Sequence, residues 1–148
     1  MKRNLEPLSL DLDLGHERIG ENAWVLTPRG AIDSTTSDDF KNRLQKFFDG
    51  AGTPAHFLLD MAGVKYLSSM GLGTLITFLK QSKEKNGSFS LYDMQRPVQR
   101  VLEISHLDFL MLRPEQLEPD HPFAAYIQSQ ESVREPQRKA AEAAKQKS

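Results

Sequence analysis

Phe57-Leu58-Leu59-Asp60-Met61 and, a few residues on, Tyr66-Leu67-Ser68-Ser69-Met70-Gly71-Leu72-Gly73 decide how this chain folds. The first stretch is short and almost continuously apolar, which suits a central strand buried on both faces of a sheet. Val64-Lys65-Tyr66-Leu67 either extends it or forms a turn. The second stretch opens the clearest helix in the sequence, from Ser69 to Asn86. Leu72, Leu75, Ile76 and Leu79 form its buried stripe, Lys80, Lys83, Glu84 and Lys85 its wet end, and Gly87 terminates it. A strand thus gives way to a helix through two serines.

Upstream, Leu8, Leu10, Leu12 and Leu14 alternate with polar residues at the period of a half-buried strand. His16 to Asn22 reads as a turn, and Ala23-Trp24-Val25-Leu26-Thr27 as the second strand of a hairpin closed by Pro28 and Gly30. A helix then begins at an N-cap, Thr36, with Asp38 and Asp39 where the helix dipole favours negative charge. Phe40, Leu44, Phe47 and Phe48 make its apolar face, and Gly50 is placed as its C-terminal glycine.

Downstream, Ser88-Phe89-Ser90-Leu91-Tyr92 alternates as a strand. Pro97 opens a third helix whose apolar face is Val98, Val101, Leu102 and Leu107. Phe109-Leu110-Met111-Leu112 reads as a last short strand. The order β-β-α-β-α-β-α-β implies an α/β domain with a mixed sheet of four to five strands and helices packed on it. The expected division is a domain over 1–115 and an extension over 116–148, partly helical or disordered. In the extension, Phe123, Ala124, Tyr126 and Ile127 could form one amphipathic turn that docks back on the domain. From Val133 onward no large apolar residue remains, which reads as a frayed helix or disorder.

Composition narrows the function. The 148 residues contain no cysteine, which removes disulfides and thiolate chemistry and fits a reducing compartment. The net charge of −1 gives no bulk attraction to nucleic acid. No apolar stretch is long enough to span a membrane, and the N-terminus lacks a signal-peptide core. The expectation is a soluble cytoplasmic protein. The charge is uneven: residues 133–148 carry five basic and two acidic groups, a net +3, which leaves −4 on residues 1–132.

A catalytic reading finds little support. His16, His56, His106 and His121 are scattered, with no metal-ligand spacing, and His106 near Asp108 reads as a helix-end residue. Asp11 and Asp13 share a strand face that reads as solvated. Gly71-Leu72-Gly73 lacks the third glycine of a dinucleotide fingerprint, and there is no Walker A motif. Both glycines are expected to let the helix start lie against another backbone. No catalytic residue, metal or cofactor is assigned.

The chemistry lies in the two serines. A serine before a helix accepts hydrogen bonds from unpaired N–H groups and caps it. The same end of the helix receives a phosphate equally well, because the N–H groups and the dipole favour an anion. A phosphate there adds about −1.5 to −2 charges to the surface around it.

These residues resemble the STAS-domain anti-anti-sigma factors (anti-sigma factor antagonists) of bacterial partner-switching systems, over about residues 8–112. Gly30-Ala31-Ile32-Asp33, followed by Thr35 and Thr36, resembles the family's Gly-Glu-Leu-Asp segment. Leu58-Leu59-Asp60-Met61 with Val64 and Tyr66 resembles its central strand, and Ser68-Ser69-Met70-Gly71-Leu72 its Asp-Ser-Ser/Thr-Gly-Leu loop. The resemblance implies a non-enzymatic regulator that binds, when unphosphorylated, an anti-sigma factor that is also a serine kinase. Phosphorylation then dissociates the complex and a serine phosphatase resets it. Ser69 falls on the phosphorylated serine, with Ser68 second in rank, and Asp33, Ser68, Ser69, Met70, Gly71 and Leu72 fall on the partner-binding surface. Ser68 replaces the family's acid, and Met70 stands where a second hydroxyl is common. The runner-up is a non-switching STAS scaffold or transport-complex subunit. A metabolite-binding α/β domain would need a polar pocket of ionisable residues.

Overall fold

The structure, a computed structural model, describes residues 12–147. The expected first-strand residues 8–11 lie outside them. The chain forms two compact units, residues 1–112 and 113–148. Five strands and three helices build the first: β1 (Leu12–Arg18), β2 (Ala23–Ile32), α1 (Ser37–Gly50), β3 (His56–Asp60), β4 (Val64–Leu67), α2 (Ser69–Glu84), β5 (Ser88–Tyr92) and α3 (Arg96–Ile104). The sheet order is β1-β2-β3-β5, with β4 also paired to β2. β1 is antiparallel to β2, and the other pairings are parallel. The expected mixed α/β sheet is therefore present.

Several local expectations need correction. His16 to Arg18 is strand rather than turn, because it pairs with Leu26, Val25 and Trp24. Pro28 and Gly30 do not end β2, which continues to Ile32. Pro28 falls between the last β3 partner, at Leu26, and the first β4 partner, at Gly30. Pro28 still pairs with Leu14 of β1, but on its other side no strand residue stands opposite it to require its missing N–H. Gly30 sits at φ 115°, open in practice only to glycine, where the β2–β4 register shifts. Val64–Leu67 is a strand of its own, set off from β3 by a turn in which the Asp60 carboxylate accepts from the Ala62 N–H at 3.2 Å.

The core lies between the sheet and α1 and α2. Phe40, Leu44 and Phe48 are buried as expected, with Phe47 packed at the edge. The Phe48 ring stacks on Phe57 at 4.0 Å between centroids and meets Phe78 at 4.7 Å. Burying each such ring contributes roughly 1.5–3 kcal/mol. The α2 stripe is rotated from the one expected. Leu75 is buried, but its companions are Gly71, Thr74, Phe78 and Ser82, while Leu72, Ile76 and Leu79 are only half-buried. The small residues let α2 lie close to its neighbours, a fit that apolar counting does not detect. Reciprocal amide hydrogen bonds of 2.9 Å between Gln45 and Gln81 tie α1 to α2. The end of α1 is not closed by a left-handed Gly50. Ala51 follows in an extended conformation, and both its N–H and the Lys85 ammonium donate to the Phe48 carbonyl.

Residues 109–112 do not form a last strand. Asp108–Leu110 is a 3-10 turn that leaves Phe109 64% exposed, and Met111 contributes one isolated parallel bridge to Leu91. In the second unit a 3-10 turn, Pro114–Gln116, precedes α4 (Ala124–Lys147). Phe123, Ala124 and Ile127 are buried there. The tail after Val133 is helical through Pro136, the helical one of the two readings the sequence left open. A segment with little to bury is still rich in Ala, Gln, Glu, Lys and Arg, all strong helix formers. Arg138 and Glu131 add a two-pronged ion pair at 2.9 and 3.0 Å.

Candidate functional site

The parallel strands β2 and β4 end side by side, with Ile32 paired to Leu67. The loop after each begins a helix. The Ser68 N–H donates to the Ile32 carbonyl at 2.8 Å, which pins the second loop to the first strand. That bond holds Ser68 extended, at φ −84° and ψ 172°, as the N-cap of α2. Its hydroxyl accepts from the Gly71 N–H at 3.1 Å, and its carbonyl accepts from the Leu72 N–H at 2.8 Å. Ser68 is committed to the cap.

Ser69 is the first helical residue, exposed, and its hydroxyl has no hydrogen-bond partner among the described residues. The N–H groups of Ser69 and Met70 also lack an acceptor among the described residues, and no acidic residue stands in the first turn of α2. An anion on Ser69 would meet donors and a positive helix end. Replacing Ser68 with Ala is expected to lower stability by about 1 kcal/mol, the usual cost of losing a cap, while Ser69→Ala stays within about 0.5 kcal/mol. Urea midpoints of the two variants check this, and equal losses would contradict the division of roles.

Met70, which follows Ser69, and Tyr66, three residues before it in β4, are each 53% exposed. Tyr66 is the residue the sequence reading left out of the surface. Only the bulge in β4, where Val64 and Tyr66 pair with the consecutive Gly30 and Ala31, breaks strict alternation and leaves both Lys65 and Tyr66 exposed. Gly71 is buried: a Cβ there would stand 2.6 Å from the Ile32 Cγ2 and 2.8 Å from the Leu67 Cδ1. Glycine at 71 therefore allows the close approach that was expected of it. Gly73 does not, since nothing lies within 4 Å of its Cβ position. Leu72 is half-buried against the core.

Asp33 heads the neighbouring loop. One carboxylate oxygen accepts from the Thr35 hydroxyl at 2.7 Å, the Thr35 N–H at 2.8 Å and the Thr36 N–H at 3.2 Å. The Thr36 hydroxyl donates to the Ala31 carbonyl at 2.7 Å and accepts from the Asp33 N–H at 3.0 Å. Thr36 thus fixes the turn rather than capping α1 through its side chain. These bonds, the Thr35 hydroxyl first, hold the Asp33 carboxyl below its ordinary value of 3.8. The folded form binds this proton less readily than the unfolded chain. Its stabilising contribution is complete above the unfolded value and is lost as pH falls through the lower folded value. Asp33→Asn is therefore expected to lose stability at pH 7 relative to the parent, with a narrower gap at a pH below 3.8. Denaturant midpoints at the two pH values report it, and a gap that widens in acid would refute the assignment.

Beside Asp33 a groove of about 670 Å³ opens between β1, β2 and the β4 turn, with Asp13, Arg29 and Lys65 on its walls. Neither cation has an ion-pair partner among the described residues. The remaining histidines are not gathered here. His56 faces the Ser88 hydroxyl across β3 and β5 at 2.8 Å, and His106 takes φ 60° just past α3, as befits a helix-end residue. No group of three or more His, Asp or Glu able to hold a metal occurs among the described residues, and no helix there is long and apolar enough to cross a membrane.

Fold and site define a small α/β domain whose paired strand ends carry a serine-bearing helix start and an acidic turn. The chain belongs to the STAS domain family, whose profile matches residues 16–124. It is 24% identical over 104 residues to the anti-sigma F factor antagonist of Paenibacillus polymyxa, covering 70% of this chain and 86% of that one. Among solved structures it is similar to an anti-sigma factor antagonist from Mycobacterium paratuberculosis. That match has a TM-score of 0.60, 20% identity, and covers 82% of this chain and 95% of the other. It is also similar to SpoIIAA, a cell fate determinant of Bacillus. The unphosphorylated form gives TM-score 0.60 at 14% identity, covering 68% of this chain and 86% of the other. The phosphorylated form gives 0.55 at 16%, covering 68% and 89%. At these identities the likeness establishes the fold.

Proposed function

We propose that this protein is an anti-sigma factor antagonist that switches partners through Ser69. The unphosphorylated chain binds an anti-sigma factor with serine kinase activity in the cytoplasm and frees its client. The kinase transfers the terminal phosphoryl group of ATP to the Ser69 oxygen, releasing ADP and the hydroxyl proton, and the complex dissociates. A serine phosphatase hydrolyses the ester and restores the first state. Residues 1–115 serve as the switching domain and 116–148 as its extension. Asp33, Ser68, Ser69, Met70, Gly71 and Leu72 shape the partner surface, Met70 by contact and Gly71 by letting the loop sit flush on β2. The antagonist supplies an acceptor and a surface, and the transfer chemistry belongs to the kinase.

One observation carries this reading: of two adjacent serines, only Ser69 offers an exposed, uncommitted hydroxyl at a helix start with free N–H groups. The names of similar proteins support it, since the Paenibacillus relative is an anti-sigma factor antagonist and SpoIIAA is known in a phosphorylated form. The test is phosphate-affinity electrophoresis of the full chain with ATP and each serine kinase encoded beside its gene. A shifted band is expected for the parent and for Ser68→Ala, and none for Ser69→Ala. A shift that persists in Ser69→Ala, or is absent with every such kinase, overturns the proposal.

A further inference from the structure

Toward the opposite end of β2 from Ser69, α1 and β1 leave a second groove. Leu14 and Phe47 form its floor and Arg43 and Lys46 its rim, around about 250 Å³. That is below the roughly 300–1,000 Å³ of small-molecule pockets and suits one large side chain. Phe47 is continuous with further aromatic surface: its ring lies 5.0 Å from His16 and 5.6 Å, edge-on, from Trp24. The Arg18 guanidinium sits 5.5 Å from the centre of the Trp24 ring. Aromatic side chains with arginine beside them are the usual anchors of protein interfaces.

The rim sets the sign of the partner. Arg43 is held by Asp39 at 3.1 Å, so its charge is partly answered. Lys46 is exposed and has no ion-pair partner among the described residues. Of the carboxylates on β1 and α1 toward this end, Asp49 accepts from the Gln45 amide at 2.9 Å and Glu17 is exposed. An apolar floor under an unanswered cation is complementary to an apolar side chain flanked by carboxylates.

We propose that this groove is a second docking surface, separate from the Ser69 loop, for an acidic segment of a protein partner that inserts one large apolar side chain over Phe47. Trp24 is the only tryptophan of the chain and touches this cluster, so its emission reports occupancy. The full-length protein is titrated with an acetylated, amidated nine-residue peptide carrying one phenylalanine between four glutamates on each side. A saturable change in Trp24 emission is expected. Lys46→Glu, a surface change that leaves the core intact, should weaken binding at least tenfold, and Ser69→Asp should leave it unchanged. No saturable change, an equal response to the same peptide with lysines for glutamates, or undiminished affinity in Lys46→Glu would overturn the proposal. Two rival occupants would do the same. A concentration-dependent emission change without peptide, abolished by Lys46→Glu, identifies a second copy. A peptide response seen only in full-length Leu5→Ser/Leu8→Ser identifies the chain's own first residues.

Discussion

Gly87→Ala is expected to destabilise the protein by about 3 kcal/mol or more, the upper end of what overpacking costs. A Cβ on Gly87 would stand 1.6 Å from the Ala55 carbonyl oxygen and 2.6 Å from its carbonyl carbon. These are backbone atoms, so no rotamer change relieves the clash. The same carbonyl accepts from the Ser88 N–H at 3.1 Å, the bond that opens the β3–β5 ladder. Moving Ala55 therefore disturbs the register that follows, from His56–Ser88 to Asp60–Tyr92. The measurement is a denaturant midpoint followed by circular dichroism. Gly73→Ala is the matched control: its Cβ points into open space, and alanine in a helix interior should raise stability by about 0.8–1.0 kcal/mol. Equal behaviour of the two variants would show that Gly87 and Ala55 do not meet.

Ser69→Asp is expected to weaken binding of the anti-sigma factor a hundredfold or more without lowering stability. A negative charge at the start of α2 is favourable to the fold, because the Ser69 and Met70 N–H groups are open and no carboxylate stands in the first turn. The cost falls on the interface. Exposed Met70, next to Ser69 in the chain, and exposed Tyr66 in β4 offer apolar contact, and a charge buried under a partner there must lose its water. Several kcal/mol of desolvation and like-charge repulsion, at 1.4 kcal/mol per tenfold, gives this loss. Calorimetric titration of parent and variant with the purified anti-sigma factor measures it. Unchanged affinity would remove the charge from the switching mechanism. Ser68→Ala separates the two serines in the same assay: it loosens the cap but leaves the acceptor, so binding should fall far less.

The sequence by itself determined what is encoded within a turn or two of chain. The apolar face of α1, Phe40, Leu44 and Phe48, the buried run of β3, the proline-opened α3, and the position of Ser68 and Ser69 at a helix start all follow from local period and capping chemistry. Asp33, Thr35 and Thr36 stand out by resemblance, with Thr36 expected as a cap; the turn that their hydrogen bonds build is seen only in the structure. Tertiary structure alone decided the rest, because each outcome depends on a partner far away in sequence. Val64–Leu67 became a strand because β2 continues past Gly30 to meet it. The small residues of α2, rather than its leucines alone, face inward because Ile32 and Leu67 press against Gly71. Phe109 lies off the sheet because the chain joins β5 only after it, through the Met111–Leu91 bridge and the Leu112 N–H, which donates to the Leu91 carbonyl at 2.7 Å. Which of the two adjacent serines caps α2 was set by the Ile32 carbonyl, which holds the Ser68 N–H and leaves the Ser69 hydroxyl without a partner among the described residues.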